Sequence, residues 1–412
     1  MTEKSDQARR RHAELVVILA TLSVIAPLGI DMYLPAMPAM AASFGARDAD
    51  VQFTLSTYFV GFALGQAFYG PIADRFGRIP PLYFGMGLYT LSAAGCALAP
   101  SIDTLAAWRF FQALGGCAGT VVARAMVRDL FTGADAVRVF SRVLLVFGLG
   151  PILAPFVGGY ILLWFDWHAI FGVLAAASLI CLAVVFFRLE ETRDPAHVRP
   201  LRLGSVLAGY WHLLTHRRFM GFTLTGGTMM AGVFAYIAGS PFVMIDHFGM
   251  TKQQFPWVFG GNALGFILAS QLNVRLQRRF SPERVLTGAL LFQVSAVIVL
   301  LINGWTGWGG LIGILVPLFF WIATMGFVVP NTTALAMGPF AANAGAASAL
   351  LGTLQFVLAA GSSALVGAFA EPTPRPMTSV MALFSLLSLA ISRFAVRTTR
   401  RGEPRPTSGS AS

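Results

Sequence analysis

Twelve apolar stretches of about 20 residues dominate this sequence and limit what it can fold into. They lie near 15–36, 51–70, 81–99, 104–126, 143–163, 167–187, 219–245, 254–274, 285–303, 308–332, 345–370 and 376–396. About 20 apolar residues in a helix cross a ~30 Å hydrocarbon core, and a helix satisfies its own backbone hydrogen bonds there. Only 11% of the residues are charged, against about 25% in soluble domains. The pattern therefore predicts an all-α membrane protein with twelve transmembrane helices.

The basic residues are distributed unevenly between the two sides of such a bundle. With the N-terminus in the cytoplasm, 24 of the 29 Lys and Arg residues fall in segments on that side and three fall on the other. Arg109 and Arg124 remain inside the fourth stretch. The positive-inside rule then places both termini in the cytoplasm. The net charge of +11 is explained by topology, and we expect no nucleic-acid partner.

A polar segment near mid-chain divides the twelve stretches into six and six. We expect an N-terminal half over residues 1–187, a cytoplasmic linker over 188–218, a C-terminal half over 219–396 and a cytoplasmic tail over 397–412. Within the linker, residues 203–214 predict a helix that lies in the membrane interface, with Trp211 as its aromatic anchor.

The two halves share an internal repeat. Shifting the sequence by 200 positions aligns the region that follows Tyr58 with the region that follows Val258, with seven identities over the twenty positions from 59 to 78. Two parallel repeats of six helices place a binding cavity between them near the middle of the membrane. The second copy has Val274 where the first has Asp74, so its loop cannot form the same ion pairs.

The loop between the second and third stretches reads GPIADRFGR, from Gly70 to Arg78. Gly70 and Gly77 allow a tight turn. Asp74 can accept hydrogen bonds, while Arg75 and Arg78 are typical of a cytoplasmic loop. The order G-x-x-x-D-R-x-G-R resembles the signature loop between the second and third helices of the major facilitator superfamily.

Asp31 is the one acidic residue that cannot be placed in a tail, a loop or a helix end. It follows Pro27 to Ile30 within the first apolar stretch. An ionisable residue within a span is costly and indicates a functional site that faces the protein interior. The alternative is a hydrated carboxylate at the end of the helix, since Pro35 and Pro38 follow closely.

Arg109 is the natural partner of Asp31. It lies in the fourth stretch, one turn before Gln112 and on the same helix face. At 1.5 Å per residue, Asp31 lies about 24 Å past Leu15, and Arg109 lies about 7 Å past Thr104, which enters from the other side. The two charges thus lie at matching depths. They form either a static ion pair or a pair that exchanges partners when a proton or substrate arrives.

The fifth stretch is rich in glycine and proline. Two prolines kink a helix, and glycines allow another helix to approach closely. The segment resembles the antiporter signature G-x-x-x-G-P-x-x-G-G of drug-efflux members of the superfamily, with Ala154 in place of its second glycine. The resemblance implies a tightly packed, leak-resistant hinge. Its residues here are Gly150, Pro151, Pro155, Gly158 and Gly159.

Read together, four blocks of the N-terminal half resemble the bicyclomycin/chloramphenicol-resistance subfamily of drug:proton antiporters. The blocks are GIDMYLPAMP, LSTYFVGFALGQAFYGPIADRFGR, RFFQALGGCAGTVVARAMVRDLF and LGPILAPFVGGY. The resemblance implies that Asp31 carries the proton and contacts substrate, with Arg109 as its partner. It also implies a cytoplasmic latch between the halves, formed by Asp74, Arg78, Arg128 and Asp129.

The function expected from this resemblance is proton-coupled export of amphiphilic, largely neutral or cationic antibiotics by alternating access. Tyr33, Tyr58 and Tyr236 are the candidate substrate-contacting aromatics. We expect a monomer in the bacterial inner membrane, driven by the proton gradient without a cofactor. The alternative is proton-coupled uptake or export of a small metabolite, which requires a denser set of polar groups than these spans contain.

An enzyme is not indicated. The spans contain no histidine pair, no H-E-x-x-H motif and no serine–histidine arrangement, and no G-x-x-x-x-G-K-[ST] nucleotide loop occurs. Cys96, Cys117 and Cys181 lie in apolar stretches without the spacing of metal ligands, which predicts buried small side chains and no metal site.

Overall fold

The computed structural model describes residues 2–193, 203–369, 371 and 373–402, and its regular secondary structure is helical throughout these ranges. Parts of the predicted linker (194–202) and tail (403–412) therefore lie outside the described residues. The first half contains a short helix, α2, after the first span. Its helices are α1 (Thr2–Asp31), α2 (Met37–Phe44), α3 (Asp48–Phe76), α4 (Ile79–Ala97), α5 (Ile102–Leu130), α6 (Gly133–Ile161) and α7 (Trp167–Arg188).

The remaining helices begin within the linker and continue through the second half. The predicted interfacial helix is α8, and the tenth predicted span consists of two helices that meet at Thr324. The elements are α8 (Leu203–Thr215), α9 (Arg217–Pro241), α10 (Phe255–Leu276), α11 (Pro282–Thr306), α12 (Gly310–Ala323), α13 (Met325–Met337), α14 (Ala344–Ala368) and α15 (Pro374–Gly402).

All twelve predicted spans correspond to helices of this bundle. Nine of the described helical segments are long and apolar enough to cross a membrane by length and composition. The other three, α3, α4 and α10, contain more polar and small residues. In each half, the second and fourth long helices lie near one another: α3 packs on α5, and α10 packs on α13. The bundle is thus two six-helix repeats, as predicted.

The two ends of the bundle differ in composition. Arginines cluster at the ends of α3, α5 and α10, in the loops that follow α3 and α10, and at the start of α6, and we call this end the basic end. The opposite end, where α1 finishes and α3 begins, is called the far end. Large exposed tryptophans lie at or near the helix ends there, as expected where side chains meet the membrane interface. They are Trp164, Trp257, Trp305 and Trp308.

The far end is closed by direct contact between the two halves. The Gln253 side chain donates a hydrogen bond to the Gly159 carbonyl across 3.2 Å. The Phe156 and Trp257 rings meet edge to face at 5.1 Å. Gly159 packs so tightly that a Cβ there would lie 2.6 Å from the Lys252 carbonyl oxygen. Only glycine allows this approach of α6 to the start of α10.

An aromatic cluster joins the halves deeper in the bundle. Phe59 of α3 lies 4.4 Å, between ring centroids, from Phe234 of α9, and Phe62 lies 4.3 Å from Phe356 of α14. Phe59 is fully buried. Aromatic pairs at such distances stabilise by about 0.5–1.5 kcal/mol beyond the area they bury. The cluster therefore continues the seal from the far end toward the middle of the bundle.

Replacing Gly159 with valine should open the far end, because the added carbons collide with the backbone of the other half. We expect a cysteine introduced at Ser363, which is buried and bonded to the Gln52 carbonyl across the halves, to react several-fold faster with a membrane-impermeant maleimide. The native cysteines are first replaced by serine.

Gly148→Val is the matched control for this change. It lies on the same helix, and a Cβ there meets nothing within 4 Å. Equal labelling rates in the Gly159 and Gly148 variants would show that the Gly159 contact does not hold the far end closed.

Candidate functional site

Arg109 lies fully buried in α5, inside the part of the chain that spans the membrane. One of its terminal nitrogens donates 2.7 Å hydrogen bonds to the Gly29 carbonyl of α1 and to the Gln112 side chain. The bond to Gln112 confirms that the two residues share one helix face. Hydrogen bonds made by a charged group contribute about 1.5–3 kcal/mol each.

Two aromatic rings enclose the same guanidinium. Its central carbon lies 4.3 Å from the Tyr33 ring centroid and 4.2 Å from that of Tyr58, with Phe171 at 5.8 Å. A desolvated cation over an aromatic face gains about 2 kcal/mol. Removing an ion from water costs several kcal/mol even after relaxation. The two rings and two hydrogen bonds offset part of this cost, while Arg109 Nε and Nη2 are buried without an acceptor among the described residues.

The Gly29 carbonyl is free to accept from Arg109 because α1 ends two residues later. The last four carbonyls of a helix have no partner within it, and they form the negative end of the helix dipole. The hydroxyls of Tyr58 and Tyr89 donate to two carbonyls one turn earlier in α1, those of Ala26 and Ile25, at 2.8 and 3.1 Å. Side chains from three other helices therefore hold the last two turns of α1.

Asp31 is the last residue of α1 and is 3% exposed. Its Oδ1 atom is buried without a hydrogen-bond partner. The helix-end alternative was thus right about position and wrong about hydration, because the turn after Asp31 is itself buried. Among the described residues Asp31 forms no ion pair, so the predicted pair with Arg109 is absent from this conformation. Arg109 is held by Gly29 and Gln112 instead.

The three predicted substrate-contacting tyrosines are all buried. Tyr33 and Tyr58 are fully buried against Arg109. Tyr236 is 2% exposed, accepts a 3.1 Å hydrogen bond from Asn262 and stacks on Phe259. Their contact with substrate stays a prediction, since the structure shows each of them packed against protein. The sequence did not predict Asn262 as the partner of Tyr236. A polar residue in an apolar helix nevertheless indicates that a buried hydrogen-bond partner is needed.

The glycine-rich segment of α6 contacts the turn that follows Asp31. Gly158 lies directly against the Met32 carbonyl, where any Cβ would overlap the oxygen. Gly150 lies against Val24 and Pro27 of α1. Both Pro151 and Pro155 lie within α6. Since Gly159 touches the other half at the next position, α6 connects the Asp31 turn to the closure of the far end.

A second polar cluster lies at the basic end, around the signature loop. The Arg78 guanidinium forms ion pairs with Asp74 at 2.6 Å and with Asp129 at 2.8 Å. Its side chain is 8% exposed, so these bonds are better shielded from water than ordinary surface pairs. The loop thereby joins the end of α3 to the end of α5.

Glu191, just after α7, completes this cluster and was missed by the sequence analysis. Its carboxylate accepts from the backbone N–H groups of Arg78 and Ile79 at 2.8 to 3.2 Å, which caps the start of α4. Gly77 has φ +98° and no room for a Cβ beside this carboxylate. Partial burial opposes ionisation, but the backbone donors outweigh it and lower the pKa of Glu191. Glu191 is 113 residues from Arg78 in the sequence, so no local sequence pattern indicates this contact.

The predicted latch residues make no described contact with the second half in this conformation, so the latch between the halves stays a prediction. The partners of Arg78 and Asp74 all lie in the first half or at the start of the linker, where Arg193 donates to the Asp74 and Arg75 carbonyls. The Arg75 and Arg128 side chains are exposed and have no polar partner among the described residues. Short carboxylates at the ends of α3 and α5 reach only the neighbouring loop of their own half.

The second half has an uncharged counterpart at the equivalent place. Asn331 of α13 donates to the Asn273 side chain at 2.8 Å and accepts from Gln277 at 3.0 Å. Val274, which replaces the acid, is 55% exposed. The repeats therefore share a polar contact between their second and fourth spans, ionic in the first and amide-only in the second.

Comparisons with known proteins agree with this architecture. The family model described as the Major Facilitator Superfamily matches residues 19–364. An uncharacterised MFS-type transporter, YdgK, of Bacillus subtilis (strain 168) is 36% identical and covers 96% of this chain and 98% of its own. A bicyclomycin resistance protein homolog of Haemophilus influenzae (strain Rd) is 32% identical, with 91% and 94% covered.

Two further similarities extend the comparison. Multidrug resistance protein D of Escherichia coli (strain K12) is 28% identical over 96% of this chain and 99% of its own. The inward-facing, unoccupied crystal structure of a bacterial homolog of the human lysosomal transporter Spinster has a TM-score of 0.75 at 14% identity, with 96% and 99% covered. The latter similarity concerns the fold alone.

This chain belongs to the Major Facilitator Superfamily. It is a multi-pass membrane transporter rather than an enzyme.

Arg109→Lys should reduce transport about tenfold or more while the protein stays folded. A lysine ammonium is a point charge and cannot fill the flat space between the two rings while bonding Gly29 and Gln112.

Tyr58→Phe keeps the ring and should lower the melting temperature less than Tyr58→Leu. If lysine supports full transport, or if phenylalanine and leucine destabilise equally, the ring-enclosed guanidinium is not the organising contact.

Glu191→Gln should lower the melting temperature at neutral pH. Because folding lowers the pKa of Glu191, its stabilisation is present above the ordinary carboxyl pKa and disappears as the pH falls through the folded value. The difference between variant and wild type should therefore shrink toward acid pH in thermal unfolding in detergent. Glu190→Gln is the control, since Glu190 is exposed and pairs with Arg11. Equal effects of the two changes would refute the cap.

Proposed function

We propose that this transporter exports amphiphilic antibiotics from the bacterial cytoplasm across the inner membrane in exchange for protons. The proposal is supported by the resistance proteins among its relatives and by the Asp31 site. The basic end then faces the cytoplasm, as the positive-inside rule requires. One chain supplies both halves, so we propose a working monomer, powered by the proton gradient without a cofactor.

The observation that carries the proposal is a buried carboxylate without a counter-ion. Asp31 Oδ1 has no hydrogen-bond partner, and the nearby Arg109 is engaged with Gly29 and Gln112. Keeping such a carboxylate ionised is costly, and binding a proton relieves the cost. We therefore propose that Asp31 is protonated in this conformation, with its far side closed and the cytoplasmic side accessible.

Exchange then follows from competition for Asp31. Drug that enters from the cytoplasm occupies the space beside the neutral carboxyl, and the proton leaves to the cytoplasm. Arg109 then turns from Gln112 toward the ionised Asp31, since an opposite charge favours the ionised form. The turn after Asp31 touches Gly158 of α6, and α6 touches the other half, so this change weakens the closure of the far end. Reprotonation from outside resets the cycle.

The basic-end cluster supports this motion from within the first half. The basic-end cluster joins the adjacent ends of α3, α4 and α5 to the beginning of the linker. Its residues are Arg78, Asp74, Asp129 and Glu191. We propose that they keep these helices moving as one body while the halves rock about the central site.

Everted membrane vesicles provide the direct test of the function. Vesicles energised by respiration and supplied with labelled bicyclomycin- and chloramphenicol-type antibiotics should accumulate drug, and an uncoupler should abolish the accumulation. Vesicles that accumulate none of a broad antibiotic panel above the level of vesicles without the protein would contradict the proposed function.

Asp31→Asn should abolish accumulation driven by a pH gradient, because an amide resembles the neutral acid in shape but carries no exchangeable charge. The protein should insert and fold normally. The measurement is drug uptake into proteoliposomes after a pH jump, with Asp103→Asn as a control at the start of α5. Uptake by the Asp31 variant in response to the pH gradient alone would remove Asp31 from the proton path.

A further inference from the structure

Arg124 is a charged residue in α5 that neither the cap of α1 nor the basic-end cluster uses. It lies 15 residues after Arg109, which is about 22 Å further along the helix and about 60° around it. It follows Thr120, whose hydroxyl approaches the Ser23 carbonyl of α1 at 3.5 Å. Arg124 therefore belongs to the side of α5 that carries Arg109, between that site and the basic end.

Its surroundings differ from those of an ordinary arginine at a helix end. Arg128, one turn closer to the basic end, is exposed, whereas Arg124 is only partly exposed and lies between the buried Ala123 and Ala125. A side chain that merely extended to the membrane surface would be as exposed as Arg128. Arg124 is instead partly enclosed by protein.

Arg124 also lacks a counter-ion. Among the described residues its guanidinium forms no hydrogen bond and no ion pair, in contrast to Arg78, Arg109 and Arg193. Cys117, two turns earlier on the same helix, is a buried free thiol rather than a carboxylate. An enclosed cation without a partner is costly, and a group that supplies negative charge relieves that cost.

We propose that Arg124 is a specificity-determining residue that binds an anionic group, such as a carboxylate, on the amphiphilic substrate. The inference deepens the proposed function and rests on it. The transport path then contains a cation near the cytoplasmic entrance and a titratable acid, Asp31, near the far end. An amphiphile with an anionic group at one end fits this order, and a cationic amphiphile is disfavoured at the entrance. This substrate class differs from the largely neutral or cationic antibiotics expected from the sequence resemblance.

The test uses three fluorescent probes that share one scaffold. N-dansyl-6-aminohexanoate is anionic, its methyl ester is neutral and dansylcadaverine is cationic. Binding to the purified full-length protein in nanodiscs is measured by dansyl fluorescence. We expect wild type to prefer the anion. Arg124→Gln should weaken binding of the anion about tenfold, in line with one hydrogen bond to a charged group, leave the ester unchanged and strengthen the cation. Arg124→Lys should restore part of the preference.

Arg138→Gln is the matched control, since it removes the same charge from an exposed position near the basic end. Unchanged anion affinity in Arg124→Gln, or an equal loss for all three probes, would overturn the inference. Wild type that binds none of the probes, or binds the cation best, would also overturn it. The vesicle experiment judges the proposed function separately, because it uses a broad antibiotic panel and the wild-type protein.

Discussion

The structure is organised around one buried cation. Arg109 lies inside the bundle and is held by the open end of α1, by Gln112 and by the faces of two tyrosines. No carboxylate among the described residues pairs with Arg109 in this conformation, and Asp31 is left buried without a counter-ion. An ion pair between the two residues would instead favour the ionised form of Asp31. Because α1 ends at Asp31, the Gly29 carbonyl is available to accept a hydrogen bond from Arg109.

The contacts around Arg109 and Asp31 extend through α6 to the contact between the halves at the far end. The turn after Asp31 rests on Gly158, and the next glycine of α6 rests on the opposite half. In the proposed cycle, Gly158 and Gly159 link the charge of Asp31 to the closure of the far end. At the basic end of the first repeat, ion pairs offset the cost of burying the charge of Arg78. The second repeat has an uncharged amide network at the equivalent place.

The fold was largely predictable because membrane spans are long and each is read from its own residues. The positions of Asp31, Arg109 and Gln112 were predictable too, since charged and polar side chains stand out in apolar helices. What could not be predicted is which groups meet. The Arg109–Gly29 bond depends on where α1 ends, and the Glu191 cap joins residues 113 positions apart. The cross-half latch stays a prediction, since the Arg78 partners in this conformation lie in its own half.

Infrared difference spectroscopy tests the central claim most directly. A protonated carboxylic acid has a carbonyl stretch that a carboxylate lacks, so the charge of Asp31 can be followed as drug binds. The account predicts that adding drug to purified wild type bleaches this band and that Asp31→Asn shows no bleach. A band that drug binding leaves unchanged in wild type, or that bleaches equally in the variant, would contradict a protonated Asp31 that exchanges its proton for drug.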